Sequence, residues 1–200
     1  MTTATPHKRA LVLASASPRR RELLGVLGVE FKVAPADIDE TVQPGETPEA
    51  YVRRMALGKA EAGYAAAGSD SAVLGSDTAV VIDGRILGKP DDRAAAIAML
   101  TELSGRTHRV MSAVALLDVE GCSEALSVTE VTFRTISAKE ADQYWATGEP
   151  ADKAGGYGIQ GRGAVFVRAI QGSYSGVVGL PLFETAALLE ERGYGPLMQA

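Results

Sequence analysis

Apolar residues recur along this chain in two periods, one near two and one near three and a half, and their alternation predicts an α/β protein. Residues 9–14 carry a strand-like run, Leu11-Val12-Leu13-Ala14. The next segment places Leu23, Leu24 and Leu27 on one face of a helix, with Ser17 as N-cap, Pro18 as first residue and Gly28 as stop. Arg20 leads that face. A short strand over residues 31–34 runs into the acidic stretch Asp37-Ile38-Asp39-Glu40, and Thr47-Pro48 opens a long helix by the same cap-and-proline rule. Its inner stripe holds Val52, Met55, Ala56 and Lys59. Residues 72–82 read as a strand broken at Ser76-Asp77-Thr78, followed by an Asp83-Gly84 hairpin turn and a return strand towards Lys89-Pro90. A helix over about residues 91–103 comes next.

Beyond Gly105, residues 107–117 and 125–136 predict two long strands joined through Glu120-Gly121. Ser137 and Glu140 form a capping-box pattern that starts a helix through Trp145, ended by Gly148. Glycines dominate residues 155–163, a composition that allows close approach of backbone to a ligand. A strand over residues 164–170, a second Gly-rich stretch ending in Gly179-Leu180-Pro181, and a helix over residues 182–192 complete the pattern. With no internal repeat and no long linker, one domain over residues 1–200 is expected, built on a mixed, strongly curved central sheet with flanking helices.

A chain of 200 residues buries about 70% of its unfolded surface and needs no covalent staple. Cys122 is the only cysteine, which favours a reducing compartment; the start through Lys8 is polar, and no apolar run is long enough to span a membrane. These features together predict a cytoplasmic protein without a membrane partner. Net charge is −5, and the basic residues are dispersed except at Arg19, Arg20 and Arg21, which argues against nucleic acid as a partner and for a small phosphate-bearing one.

Those arginines break a local rule. They occupy the first turn of a helix, where the unpaired N–H groups and the macrodipole are already positive, so an anion is needed to offset them. Asp77 breaks another, as a carboxylate in an otherwise apolar run; it reads either as a turn residue beside Gly75-Ser76 or as a buried group that needs a cation. Asp39, Glu40 and Asp77 are hard oxygen donors suited to Mg²⁺ or Mn²⁺ together with substrate phosphates. Lys59, on an apolar stripe, either snorkels outwards or points into a cleft, and Lys89 is a loop lysine held extended by Pro90. The set suits triphosphate hydrolysis, which needs charge clamps, a metal and a group to activate water. A P-loop and a dinucleotide fingerprint are absent, and two histidines (His7, His108) with one cysteine cannot form a structural zinc site. His108 lies in the strand-like Thr107-His108-Arg109-Val110 with no Gly-x-Ser-x-Gly elbow to pair with, and reads as a surface or edge-strand residue.

Ala14-Ser15-Ala16-Ser17-Pro18-Arg19-Arg20, Gly75-Ser76-Asp77-Thr78, Gly88-Lys89-Pro90, Leu103-Ser104-Gly105-Arg106-Thr107-His108 and Gly156-Tyr157-Gly158-Ile159-Gln160-Gly161 closely resemble the Maf family, and the likeness extends into Gly172-Ser173-Tyr174 and Val178-Gly179-Leu180-Pro181. It covers nearly the whole chain in order. The resemblance implies an elongated α/β fold of two lobes around a central cleft, similar to the Ham1-like inosine triphosphate pyrophosphatases. It also implies a nucleoside triphosphate pyrophosphatase that uses a divalent metal to release monophosphate and pyrophosphate, with a homodimer as the assembly. By motif position it implies Asp77 as proton acceptor, and Ser15, Arg20, Lys59 and Lys89 as phosphate-side residues. Asp39 is implied as a metal ligand beside Asp77, with Glu40 as a further candidate. A metal-bound carboxylate orients water more than it takes its proton, so base and ligand both stay open for Asp77.

Arg19, Thr78 and Gln160 are similar to the trio of family members acting on dTTP and UTP, and a glutamine amide matches the O4 and N3–H edge of those bases. Modified pyrimidine triphosphates share that edge, which makes a house-cleaning role plausible. Arg21 is left as surface charge. Two other readings stay open: a nucleotide-responsive binding protein in septum formation and cell division, and the same chemistry on 7-methyl-GTP.

Overall fold

In the computed structural model, which describes residues 9–194, the chain folds on one seven-stranded mixed sheet. His7 and the polar start lie outside the described residues. The strands are β1 (Ala10–Leu13), β2 (Phe31–Val33), β3 (Ser71–Ile82), β4 (Arg85–Leu87), β5 (Thr107–Asp118), β6 (Gly121–Phe133) and β7 (Val167–Gln171), in the spatial order β2-β1-β3-β5-β6-β7, with β4 also on β3. β1 runs parallel to β2 and β3, and every other pairing is antiparallel. The helices are α1 (Pro18–Val26), α2 (Pro48–Ala67), α3 (Arg93–Leu103), α4 (Ala138–Trp145), α5 (Tyr174–Val178) and α6 (Leu182–Glu191).

Local chemistry sets the boundaries. Ser17, Thr47 and Asp92 each accept an N–H of the first turn of α1, α2 and α3, and Ser137 with Glu140 closes the capping box of α4. Asp83 and Gly84, at φ 50° and 76°, make the tight turn between β3 and β4. Among the described residues, no helix is long and apolar enough to cross a membrane.

Three features depart from the sequence expectation. β3 is one unbroken strand, because Ser76, Asp77 and Thr78 each find a polar partner and stay in the ladder with β5. The stretch 162–166 is 3-10 helix and the last strand starts only at Val167. His108 lies neither at the surface nor on an edge strand: it is 2% exposed, in the strand between β3 and β6, packed edge-on to Phe133 and Tyr157. The neighbours Thr107 and Arg109 point to the opposite side and are exposed, which is the two-residue alternation of a strand covered by helices on one face.

The register of β3 makes the cleft. Along one edge, residues 71–74 pair with β1 and residues 80–82 pair with β4, so residues 75–79 face neither strand there, while the other edge is paired with β5 throughout the same stretch. The chain leaves β1 at Leu13 and turns into α1 beside that gap. This is the C-terminal end of the parallel strands, the usual place for a ligand in an α/β sheet.

Each face is packed differently. α2 lies on β3 and β5 through Val52, Ala56 and Ala60 against Ala79, Val81, Met111 and Ala113. The approach is close because β3 carries a glycine: a Cβ at Gly75 would lie 2.1 Å from the Ala56 carbonyl oxygen. On the other face are two apolar clusters, one with Leu13, Leu24, Leu74, Leu180 and Leu189, the other with Val80, Leu100, Val110, Phe133 and Tyr157.

Candidate active site

A cleft of about 570 Å³ opens at the gap in the sheet. Ser15, Arg19, Arg20, Glu40, Lys59, Asp77, Thr78, Lys89 and Gln160 all line it, drawn from stretches far apart in the chain. Asp39 does not: its carboxylate turns back to accept the Thr41 N–H at 2.9 Å, the Thr41 side chain and that N–H together hold its pKa below the usual value, and it sits exposed outside the lining. Arg21 is exposed on α1 away from the cleft, as surface charge.

Lys59 is the centre of the polar end. Alternation along β3 aims Asp77 at the α2 face, one pleat beyond Gly75, and the close helix approach there brings Lys59 down onto it. Lys59 Nζ donates to Asp77 Oδ1 at 2.8 Å and pairs with Glu40 Oε1 at 2.6 Å. Both Lys59 and Asp77 are buried, whereas the Glu40 side chain is half exposed. Burial pushes the Glu40 carboxyl upward, but the Lys59 hydrogen bond and the charges of Lys59, Lys89 and Arg20 outweigh it and hold the group below the usual carboxylate range.

The loop that presents Glu40 is tied to α2. Tyr51 donates to the Glu40 carbonyl at 3.1 Å, and Arg54 grips both Glu46, at 2.6 Å, and the Thr41 carbonyl. Burial and the charges of Asp77 and Glu40 push the Tyr51 phenol up to about 12, so it remains a donor. Tyr51 is not among the residues expected from sequence. Its spacing of four and eight from Met55 and Lys59 puts it on the same helix stripe, a signal that could have found it.

Arg20 is half-buried in the wall beside Asp77. Its Nε donates to the Gly179 carbonyl at 2.9 Å and its Nη1 to Ser15 Oγ at 3.4 Å, which fixes the guanidinium plane and leaves the rest of its fork for an anion. Desolvation lowers its pKa against the opposing charges of Asp77 and Glu40. Ser15 Oγ accepts from Arg20 and from the Ser17 N–H at 3.2 Å, so its own hydrogen is left for the cleft. Lys89 stands exposed at the rim and, among the described residues, makes no ion pair.

Thr78 points to the opposite face of β3. Ser112 directs its hydrogen to the Gly176 carbonyl at 2.7 Å, so Thr78 donates to Ser112 at 2.8 Å, and its 3.4 Å approach to the Gly179 carbonyl is the weaker option. Past Thr78 the lining becomes apolar, with Val80, Val110, Tyr157, Ile159, Val177 and Val178. Gln160 is exposed at the rim of this end, and Arg19 reaches across it to Asp152 at 3.1 Å. The cleft thus has a charged end and an apolar end ringed by hydrogen-bonding groups, which suits a molecule with a polyphosphate at one end and a flat ring at the other.

The Gly-rich loop lines the cleft through residues 157–160 and is anchored behind it. Its backbone closes on a protein carboxylate, Glu149, which accepts the N–H groups of Arg162 at 2.8 Å and Gly163 at 3.1 Å together with the Tyr144 hydroxyl at 2.6 Å. Nothing in the sequence marks Glu149, which follows a helix-ending glycine and reads as a solvated turn residue.

Hard oxygen donors at the charged end are Glu40 and Asp77. Among the described residues no three His, Cys, Asp or Glu side chains group to hold a metal by themselves. Two carboxylates converging on one ammonium mark a point where positive charge is favoured, and this donor set fits Mg²⁺ or Mn²⁺ when phosphate oxygens complete the shell.

Residues 10–192 match the family described as Maf-like protein. Curated relatives named dTTP/UTP pyrophosphatase include those of Methylococcus capsulatus, 55% identical over 185 residues (92% of this chain and 92% of the relative), and Hahella chejuensis, 53% over 195 residues (96% and 97%). The protein of the same name from Yersinia pestis is 56% identical over 180 residues, covering 90% and 91%. Among solved structures, the Staphylococcus aureus Ham1 protein overlaps 62% of this chain and 72% of its own at 17% identity, with a TM-score of 0.46.

Proposed function

The chain belongs to the Maf-like protein family, and on that premise we propose that it hydrolyses dTTP and UTP at the bond between the α and β phosphates, releasing the nucleoside monophosphate and pyrophosphate. The observation that carries the reading is the two-ended cleft, with Lys59 bridging Asp77 and Glu40 at the charged end and Gln160 at the rim of the apolar end. The relatives' printed names supply the substrate pair.

In this reading Arg20, Lys59, Lys89 and Ser15 take the phosphate oxygens, offsetting the charge that develops as the bridge opens. Asp77 faces the water that attacks phosphorus, orienting it and accepting its proton, while the bridging oxygen leaves with pyrophosphate. Asp77 and Glu40 would hold the divalent metal, which when bound polarises phosphoryl oxygens and neutralises their charge. Arriving phosphates compete for the Lys59 ammonium and so release the two carboxylates for that work. At the other end the Gln160 amide reads the O4 and N3–H edge of the base, Arg19 and Thr78 frame it, and Val80, Ile159 and Val178 pack on the ring. The protein is read as one domain of two lobes, a cytoplasmic homodimer whose work includes removing modified pyrimidine triphosphates.

The test is a panel of purified protein with Mg²⁺ or Mn²⁺ and standard, 5-methylated and 7-methylguanine triphosphates, with monophosphate and pyrophosphate quantified. Pyrophosphate from dTTP and UTP is expected, and Asp77→Asn should lower turnover by about 10²-fold or more in a protein that remains folded at the assay temperature. Tight nucleotide binding with no turnover, or turnover confined to 7-methyl-GTP, overturns the reading.

A further inference from the structure

Glu149 lies outside the lining of the cleft, yet the loop that carries Gln160 is built around it. Its Oε1 accepts the Tyr144 hydroxyl and the Gly163 N–H, and its Oε2 accepts the Arg162 N–H. The Tyr144 oxygen in turn accepts the Gly158 N–H at 3.0 Å, so anchors grip the loop on both sides of Gln160. The fit leaves no room for a side chain: a Cβ at Gly161 would lie 2.4 Å from Glu149 Oε1. Burial opposes the charge on Glu149, but the Tyr144, Arg162 and Gly163 donors more than offset it, and the carboxyl is held below its ordinary value.

The same turn reaches the other side of the cleft. Lys153 Nζ donates to the Glu149 carbonyl at 2.7 Å and to Asp152 Oδ1 at 2.6 Å, and Asp152 Oδ2 holds Arg19 at 3.1 Å. Arg19 and Gln160, both assigned to base selection, therefore hang from residues 149–153, and none of the phosphate-side groups does.

We infer that Glu149 is a positioning residue for base selection: its carboxylate, acting as an internal anion for the glycine loop, fixes the Gln160 amide at the height of the pyrimidine edge. The inference rests on the dTTP/UTP reading above. Every partner of the Glu149 carboxylate is a donor, so Glu149→Gln keeps the shape but sets an NH₂ against one of them and loosens the loop.

The experiment measures binding rather than turnover, so it stays readable if hydrolysis fails. Calorimetry with α,β-imido-UTP, α,β-imido-CTP and inorganic tripolyphosphate is run on wild-type and Glu149→Gln proteins, with amide exchange over residues 158–163 in parallel. The preference for the UTP over the CTP analogue should fall about ten-fold, while tripolyphosphate affinity changes less than about two-fold and loop exchange accelerates. A uniform loss across all three ligands, an unchanged UTP preference, or a wild-type protein that does not prefer the UTP analogue would overturn the role. If Glu149→Gln does not fold, Tyr144→Phe removes the hydroxyl shared by Glu149 and Gly158 and should move the same ratio in the same direction, by less.

Discussion

His108 makes the stability of this protein sensitive to mild acid. Burial among Phe133 and Tyr157 pulls its pKa from 6.5 down to about 4, its Nε2 bonds the Tyr157 hydroxyl at 2.8 Å, and its Nδ1 is buried without a hydrogen-bond partner among the described residues. With the folded value below the unfolded one, the unfolded chain binds the proton first. The contribution is complete above pH 6.5 and is lost as pH falls towards 4, by roughly 2 kcal/mol at about pH 5. Glu46 and Glu140, held at about 2 by Arg54 and Arg134, add their losses at lower pH. Urea unfolding at pH 7 and at pH 5 should show this drop in the wild type and a flatter profile in His108→Gln; equal slopes in both proteins would remove His108 as the cause. Its neighbours mislead the sequence reading, since Thr107 and Arg109 are polar and a single strand face is invisible until the helices that cover it are known. Asp77 is legible for the opposite reason, because a carboxylate in an apolar run needs a cation, and Lys59 stands out as a lysine on an apolar helix stripe.

At the level of elements, the contact of α2 on β3 decides whether Lys59 reaches Asp77. Gly75→Ala would force a methyl group to within 2.1 Å of the Ala56 carbonyl, so the helix must lift off the sheet, opening the core and separating the ion pair. A cost of about 3 kcal/mol or more is expected. A methyl group added at Gly25 in α1 would meet nothing within 4 Å, and Gly25→Ala should instead stabilise by about 0.5–1 kcal/mol. Thermal unfolding of both variants checks the pair of signs. Elements with caps and long periodic patterns are readable from the chain, as the helices after Ser17, Thr47 and Ser137 illustrate. α5 is not, because five residues between two glycines offer no period, and what holds them is the sheet beneath. Glu149 escapes for a related reason: besides the nearby Tyr144 hydroxyl, its partners are backbone N–H groups more than ten residues away, which no residue type announces.

Across the whole molecule, the segment 172–181 crosses the sheet between the two apolar clusters and ties them to the cleft. Thr129 on β6 accepts the Ser173 N–H at 2.9 Å, Ser112 on β5 donates to the Gly176 carbonyl, and Ser76 on β3 donates to the Gly179 carbonyl at 3.3 Å. That last carbonyl is also the anchor of Arg20. The Arg20 guanidinium therefore takes its orientation from a line of hydroxyls on three strands. Ser112 is the middle of the line and also receives the Thr78 hydrogen, so Ser112→Ala leaves the buried Gly176 carbonyl without its donor and turns Thr78 to its weaker acceptor, the Gly179 carbonyl, at a cost of about 1–3 kcal/mol. Because the loosened segment carries Gly179, kcat/KM for UTP should fall about ten-fold in the same variant, through Arg20 rather than through any contact of Ser112 with substrate. Ser127 lies opposite Ser112 in the β5–β6 register and makes no hydrogen bond to the segment, so Ser127→Ala serves as the control. If both alanine variants lose stability and activity equally, the orientation of Arg20 is independent of the line; if only Ser112→Ala does, the seam that divides the apolar face is also what orients Arg20.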